Sequence, residues 1–146
     1  MKEFLDIALN TAETKGADYA DIRISRHKNQ SIRTREERIQ GISNSESYGF
    51  GVRVLVDGTW GFAASHRLTK NNVAKITMRA LDIARANRVV QRIPIRLAEV
   101  ESYEDQWSSP IKKDPFQVPV NDKIDLLLTV NAEALKVKGA KYCSSS

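Results

Sequence analysis

The stretch Ser47-Tyr48-Gly49-Phe50-Gly51-Val52-Arg53-Val54-Leu55-Val56-Asp57-Gly58-Thr59-Trp60-Gly61-Phe62-Ala63-Ala64-Ser65 decides the fold. Tyr48, Phe50, Val52, Val54 and Val56 recur at every second position, the period of a strand with one face in a core. Asp57-Gly58 then supplies a tight hairpin turn, because both turn positions take positive φ and glycine does so without steric cost. Residues 59 to 64 form the return strand. Gly49, Gly51 and Gly61 lie inside this hairpin, where strand glycines mark close backbone approach, a bulge or sharp curvature. Tyr48 and Phe50 share the valine face and are expected in the core.

Upstream, residues 2 to 15 form an amphipathic helix, with Phe4, Ile7, Ala8, Thr11 and Ala12 near one face and Gly16 placed to stop it. Ala20, Ile22 and Ile24 alternate with Asp21, Arg23 and Ser25, giving a first strand. A polar turn at His27-Lys28-Asn29 is expected next. Two further strands, 30 to 35 and 38 to 45, hinge near Glu36-Glu37.

Downstream, Thr69 caps a helix to about Asn87, whose residues Val73, Ile76, Ala80, Ile83 and Ala84 recur at helical spacing. Residues 88 to 119 lose periodicity, carry Pro94, Pro110 and Pro115, and contain the acids Glu99, Glu101, Glu104 and Asp105. A connection of that length is uncommon in a compact domain, and Trp107 and Phe116 are expected to anchor it. A last helix covers about 121 to 138, with Asn121 or Asp122 as cap and Gly139 as stop. Ile124, Leu127, Leu128 and Leu135 fill one of its faces, while Leu126, Val130, Ala134 and Val137 fill another. A helix apolar on two sides needs two partners, so another subunit or a further part of the protein is expected to cover the second. The architecture is α+β: about five mainly antiparallel strands with N-terminal, central and C-terminal helices.

The 146 residues fit one domain, and 41% hydrophobic with 28% charged residues suits a globular chain. No apolar run is long enough to span a bilayer, and the acids in Met1-Lys2-Glu3-Phe4-Leu5-Asp6 do not suit a signal peptide. The single cysteine, Cys143, suits a reducing compartment, so the expected location is cytoplasmic. Of the 23 basic residues, 15 fall between residues 22 and 96 with only five of the 18 acids, a split that can mark a surface for an anionic partner.

Catalytic and metal chemistry is not expected in this chain. His27 and His66 belong to no His-x-x-x-His helix, and Cys143 stands alone. Ser65-His66 are merely adjacent, without a Gly-x-Ser-x-Gly elbow, and His66 reads as a surface residue after a strand. Gly49-Phe50-Gly51 lacks the third glycine and the following helix of a dinucleotide fingerprint. The carboxylate pairs Glu36-Glu37 and Glu104-Asp105 read as solvated turns. Arg23, Arg26, Lys28, Arg33, Arg35 and Arg38 suit nucleic acid in charge, but Tyr48 and Phe50 read as core, not as exposed stacking platforms. Direct nucleic-acid binding is therefore not expected.

In order and spacing, Gly16-Ala17-Asp18-Tyr19-Ala20-Asp21-Ile22-Arg23, then Ser47 through Leu55, then Asp57-Gly58-Thr59-Trp60-Gly61-Phe62-Ala63-Ala64, resemble the N-terminal domain of TldD/PmbA proteins. The helix ending Ala80-Leu81-Asp82-Ile83-Ala84-Arg85-Ala86 resembles it too, and Trp60-Gly61-Phe62-Ala63 leans toward the TldD branch. The resemblance implies a two-domain protein described as a modulator of DNA gyrase or, for TldD, a zinc metallopeptidase acting on small or unfolded peptides. Its zinc site, a His-Glu-x-x-x-His helix and a later cysteine, is expected in a C-terminal domain beyond residue 146. Residues 1 to 146 are then a non-catalytic N-terminal domain, truncated before the metal-binding one and inactive alone. Such a domain would help enclose the catalytic chamber and assemble subunits, as a homodimer or with a PmbA-type partner. The candidate residues for hairpin geometry or for facing peptide are Gly49, Gly51, Arg53, Asp57, Gly58, Trp60 and Gly61, with no catalytic, cofactor or metal residue among them. From a different class, a free-standing interaction or nucleic-acid-binding module would use the basic 22–96 region.

Overall fold

Alternating side chains and one tight turn build the sheet, and two helices cover one face of its hairpin end. The computed structural model describes residues 1–99 and 101–146. The elements are α1 (Lys2–Thr14), β1 (Tyr19–Arg35), β2 (Arg38–Val56), β3 (Thr59–Ser65), α2 (Lys70–Asn87), a short 3-10 turn at Pro115–Gln117, α3 (Val120–Leu135) and β4 (Ser144–Ser145). The strands form one sheet of order β3-β2-β1-β4, with antiparallel pairing, so the expected α+β class holds. Two compact units emerge, Met1–His27 with Ser47–Ser102, and Lys28–Glu46 with Tyr103–Ser146.

In the first unit, β2 and β3 pair from Phe50↔Ser65 to Val56↔Thr59. Asp57 (φ 50°) and Gly58 (φ 72°) make the turn, as the Asp-Gly pair predicts. It is pinned from outside: the Asp57 amide donates to Asp18 Oδ2 at 2.7 Å, the Ile95 amide donates to the Gly58 carbonyl at 2.8 Å, and Arg88 pairs with the Asp57 carboxylate. Phe50, Val52, Val54 and Val56 point into a core closed by Ala8 and Ala12 of α1 and by Val73, Ile76, Ala80, Leu81 and Ala84 of α2. Each fully buried valine or leucine contributes about 1.5–3 kcal/mol. Gly61 lets α2 lie directly on β3, because a Cβ there would stand 2.0 Å from the Ala80 carbonyl oxygen. Thr69 caps α2, its Oγ1 accepting from the Asn72 amide.

Tyr48 departs from the expected core. It is 42% exposed, because the two helices cover the β2 face only from Phe50 to Val56.

In the second unit, β1 runs on without the turn expected at His27-Lys28-Asn29, and the strands expected at 38 to 45 and 48 to 56 are one strand, β2. The sheet therefore has four strands among the described residues, where shorter segments suggested about five. Polar residues do not interrupt this ribbon, since paired strands satisfy one another's backbone groups and tolerate solvent on their faces. The hinge at Glu36-Glu37 forms as expected, with Glu36 at φ 54°. A buried polar cluster locks it. Asn131 Nδ2 donates to Thr34 Oγ1 (3.1 Å) and to the Glu36 carbonyl (3.0 Å), Cys143 Sγ donates to Asn131 Oδ1 (3.3 Å), and the Glu36 amide donates to the Cys143 carbonyl (2.8 Å).

α3 begins one residue before the expected caps Asn121 and Asp122, with Pro119 at the cap position and no side-chain cap bond. Its two apolar faces part as the pattern requires: Ile124 is buried, while Leu126 and Val130 are 64% and 48% exposed. Trp107 does not anchor the connection, being 78% exposed, whereas Phe116 lies under Lys28 Nζ at 5.9 Å from the ring centre.

Candidate functional site: the open face of the hairpin

The face of β1 and β2 opposite the helices carries the polar half of the alternation. Because Ala20, Ile22 and Ile24 pack against the core, Asp21, Arg23, Ser25 and His27 point the other way. Gly49, Gly51 and Arg53 of β2 and Phe62 and Ala64 of β3 continue that surface. Together they line an open groove of about 640 Å³ within the first unit.

Glycine shapes its floor. A Cβ on Gly51 would lie 2.8 Å from Phe62 Cε2, so the Phe62 ring rests across the glycine while staying 58% exposed. At the end of the groove, His66 follows β3 in a connection held by Asn72 Nδ2, which donates to Ser65 Oγ (2.8 Å) and to the Arg67 carbonyl (2.7 Å).

Arg53 organises the other end. Its Nε donates to Asp21 Oδ2 at 2.7 Å, its second guanidinium nitrogen lies 2.7 Å from the same oxygen, and its Cζ stands 4.8 Å from the Trp60 ring centre. Tyr19 meets Trp60 edge to face at 5.8 Å. Hydrogen bonding to Asp21 raises the Arg53 pKa above the ordinary guanidinium value, outweighing the desolvation that opposes it, so this side chain keeps its charge.

The expected residues thus separate. Gly49, Gly51 and Arg53 line the groove, and Trp60 stands behind Arg53. Asp57 and Gly58 form the turn, and Gly61 faces α2 on the opposite side. Asp21, Arg23, His27, Tyr48, Phe62 and His66 join the site although the sequence reading did not select them for it. The signal was present in the odd-numbered residues of β1, which must face away from Ala20, Ile22 and Ile24.

Among the described residues no three His, Cys, Asp or Glu side chains gather as a group that could hold a metal ion. No helix among them is long and apolar enough to cross a membrane.

Residues 20–86 match the family described as PmbA/TldA metallopeptidase domain 1. A metalloprotease of Methanocaldococcus jannaschii is 27% identical over 111 residues, covering 76% of this chain and 25% of the relative. A zinc metalloprotease TldD homolog of Saccharolobus solfataricus is 32% identical over 65 residues, covering 44% of this chain and 14% of the relative. A solved structure from Thermotoga maritima, described as "a putative modulator of a DNA gyrase", superposes with a TM-score of 0.71 at 18% identity, over 98% of this chain and 31% of that one, and shows a shared fold. The chain spans about a quarter of the length of its first curated relatives.

Proposed function

We propose that this chain, whose residues 20–86 match the first domain of the PmbA/TldD metallopeptidases, is a TldD/PmbA protein's non-catalytic N-terminal domain, part of a larger zinc metallopeptidase. The parent enzyme acts on small or unfolded peptides in the cytoplasm, with zinc held by a C-terminal domain outside these residues. This domain helps to enclose the chamber and to assemble subunits, as a homodimer or with a PmbA-type partner. The observation that carries this reading is the family match over residues 20–86, a span that includes the residues lining the groove.

Peptide capture follows from the sheet. β3 is the outermost strand of the order β3-β2-β1-β4, and an extended peptide can add main-chain hydrogen bonds along such an edge without strict sequence demands. An unfolded peptide titrated into the labelled chain should shift amide signals between residues 48 and 65. Unchanged signals there would remove peptide capture from the account.

Assembly is supported by α3, whose Leu126 and Val130 lie exposed on an apolar face. Nucleic-acid binding through the basic 22–96 region stands as the competing reading. The exposure of Tyr48 favours it more than the sequence did, and salt-dependent binding of single-stranded DNA or RNA would establish it.

A further inference from the structure

Charge on the open face is unevenly matched. Among the described residues Asp21 is the one acid lining the groove, and Arg53 occupies it. Arg23, on the same face of β1, has no carboxylate partner among the described residues, and neither do His27 and His66. The uncompensated charge of the groove is therefore positive, and Ser25 and Ser47 add hydroxyl donors beside it.

We propose that this groove binds the carboxylate of an acidic side chain carried on an extended peptide, with Arg23 as its principal contact. This deepens the peptide-capture reading and rests on it. A guanidinium offers paired donors that match the two oxygens of a carboxylate, which a neutral amide cannot match in charge. The exposed Phe62 ring gives the peptide's apolar atoms a surface, and the outer edge of β3 runs alongside. Exposed aromatic and basic side chains together also suit a single nucleic-acid strand. Here, however, the Trp60 ring already holds Arg53, and one uncommitted arginine is fewer cationic contacts than a phosphate backbone uses.

The test uses the 146-residue chain and three dye-labelled peptides of equal length, alternating glycine with glutamate, glutamine or lysine, plus an oligothymidylate, all read by fluorescence anisotropy. The glutamate peptide should bind about tenfold more tightly than the glutamine peptide at low salt, with the preference shrinking as salt rises. Arg23→Glu should abolish that preference and Arg23→Lys should keep part of it. Arg79→Glu, an exposed charge change on α2, should leave it intact, which separates a local contact from the overall basic field. Equal binding of the glutamate and glutamine peptides would overturn acid recognition while leaving peptide capture standing. Failure of every peptide to bind would overturn both. Displacement of the glutamate peptide by oligothymidylate from an Arg23-dependent site would overturn the proposal in favour of nucleic acid.

Discussion

The backbone of α2 crosses β3 so closely at Gly61 that the carbonyl oxygen of Ala80 occupies the space a Cβ would need, 2.0 Å away. The Ala84 amide nitrogen would stand 2.7 Å from the same Cβ, and neither obstacle is a side chain that can swing aside. Gly61→Ala should therefore push helix and strand apart and cost at least about 2 kcal/mol, at the upper end of overpacking effects. Urea unfolding measures it. Gly51→Ala is the control: its obstacle is the exposed end of the Phe62 ring, which can rotate away, so it should cost less than about 1 kcal/mol.

Asn131→Ala should loosen the second unit selectively. It removes the donor to both Thr34 Oγ1 and the Glu36 carbonyl; Thr34 Oγ1 keeps its bond with Ser145 Oγ, but the part-buried Glu36 carbonyl loses its side-chain donor, at a cost of about 1–3 kcal/mol. Amide exchange should accelerate at Glu36 and Ser145 before it changes at Val52 or Val54. Uniform acceleration across the chain would argue against a separately stabilised unit.

The Asp21–Arg53 pair should add little to stability. Both groups are substantially exposed, so a double-mutant cycle with Asp21→Asn and Arg53→Met should give no more than about 1 kcal/mol, falling with added salt. The pH sign follows from the raised pKa of Arg53: its contribution is fully present below the unfolded-state value and is lost only as pH rises through the folded one. The coupling should therefore stay level between about pH 6 and 9, checked by repeating the cycle across that range.

Val130→Asp should leave folding nearly untouched, within about 0.5 kcal/mol, because the site is half exposed. If α3 docks a partner subunit, the same change should abolish concentration-dependent association in sedimentation experiments. Association that survives Val130→Asp and Leu126→Asp would move the interface off this helix.

Much of the fold was legible in local chemistry. Asp57-Gly58 specified its turn, the valine alternation specified the buried face of β2, and Thr69 specified the start of α2, since each depends on neighbours within a few residues. The continuity of β1 through His27-Lys28-Asn29 was not legible, because polar residues in a strand are held by a partner strand that is not adjacent in sequence. Tyr48 misled for a related reason. Its alternation matches Phe50 and Val52, but burial ends where the covering helices end. The groove was half legible: Gly49, Gly51 and Arg53 stood out, whereas Arg23, Phe62 and His66 gain meaning only when three elements meet on one face.

The most direct test of the central claim is zinc-dependent hydrolysis of an unfolded peptide, followed by mass spectrometry, with this chain alone and with the proposed C-terminal metal-binding domain supplied. The account predicts no cleavage by the chain alone at any zinc concentration, and chelator-sensitive cleavage once that domain is present. Chelator-sensitive cleavage by these 146 residues alone would contradict it.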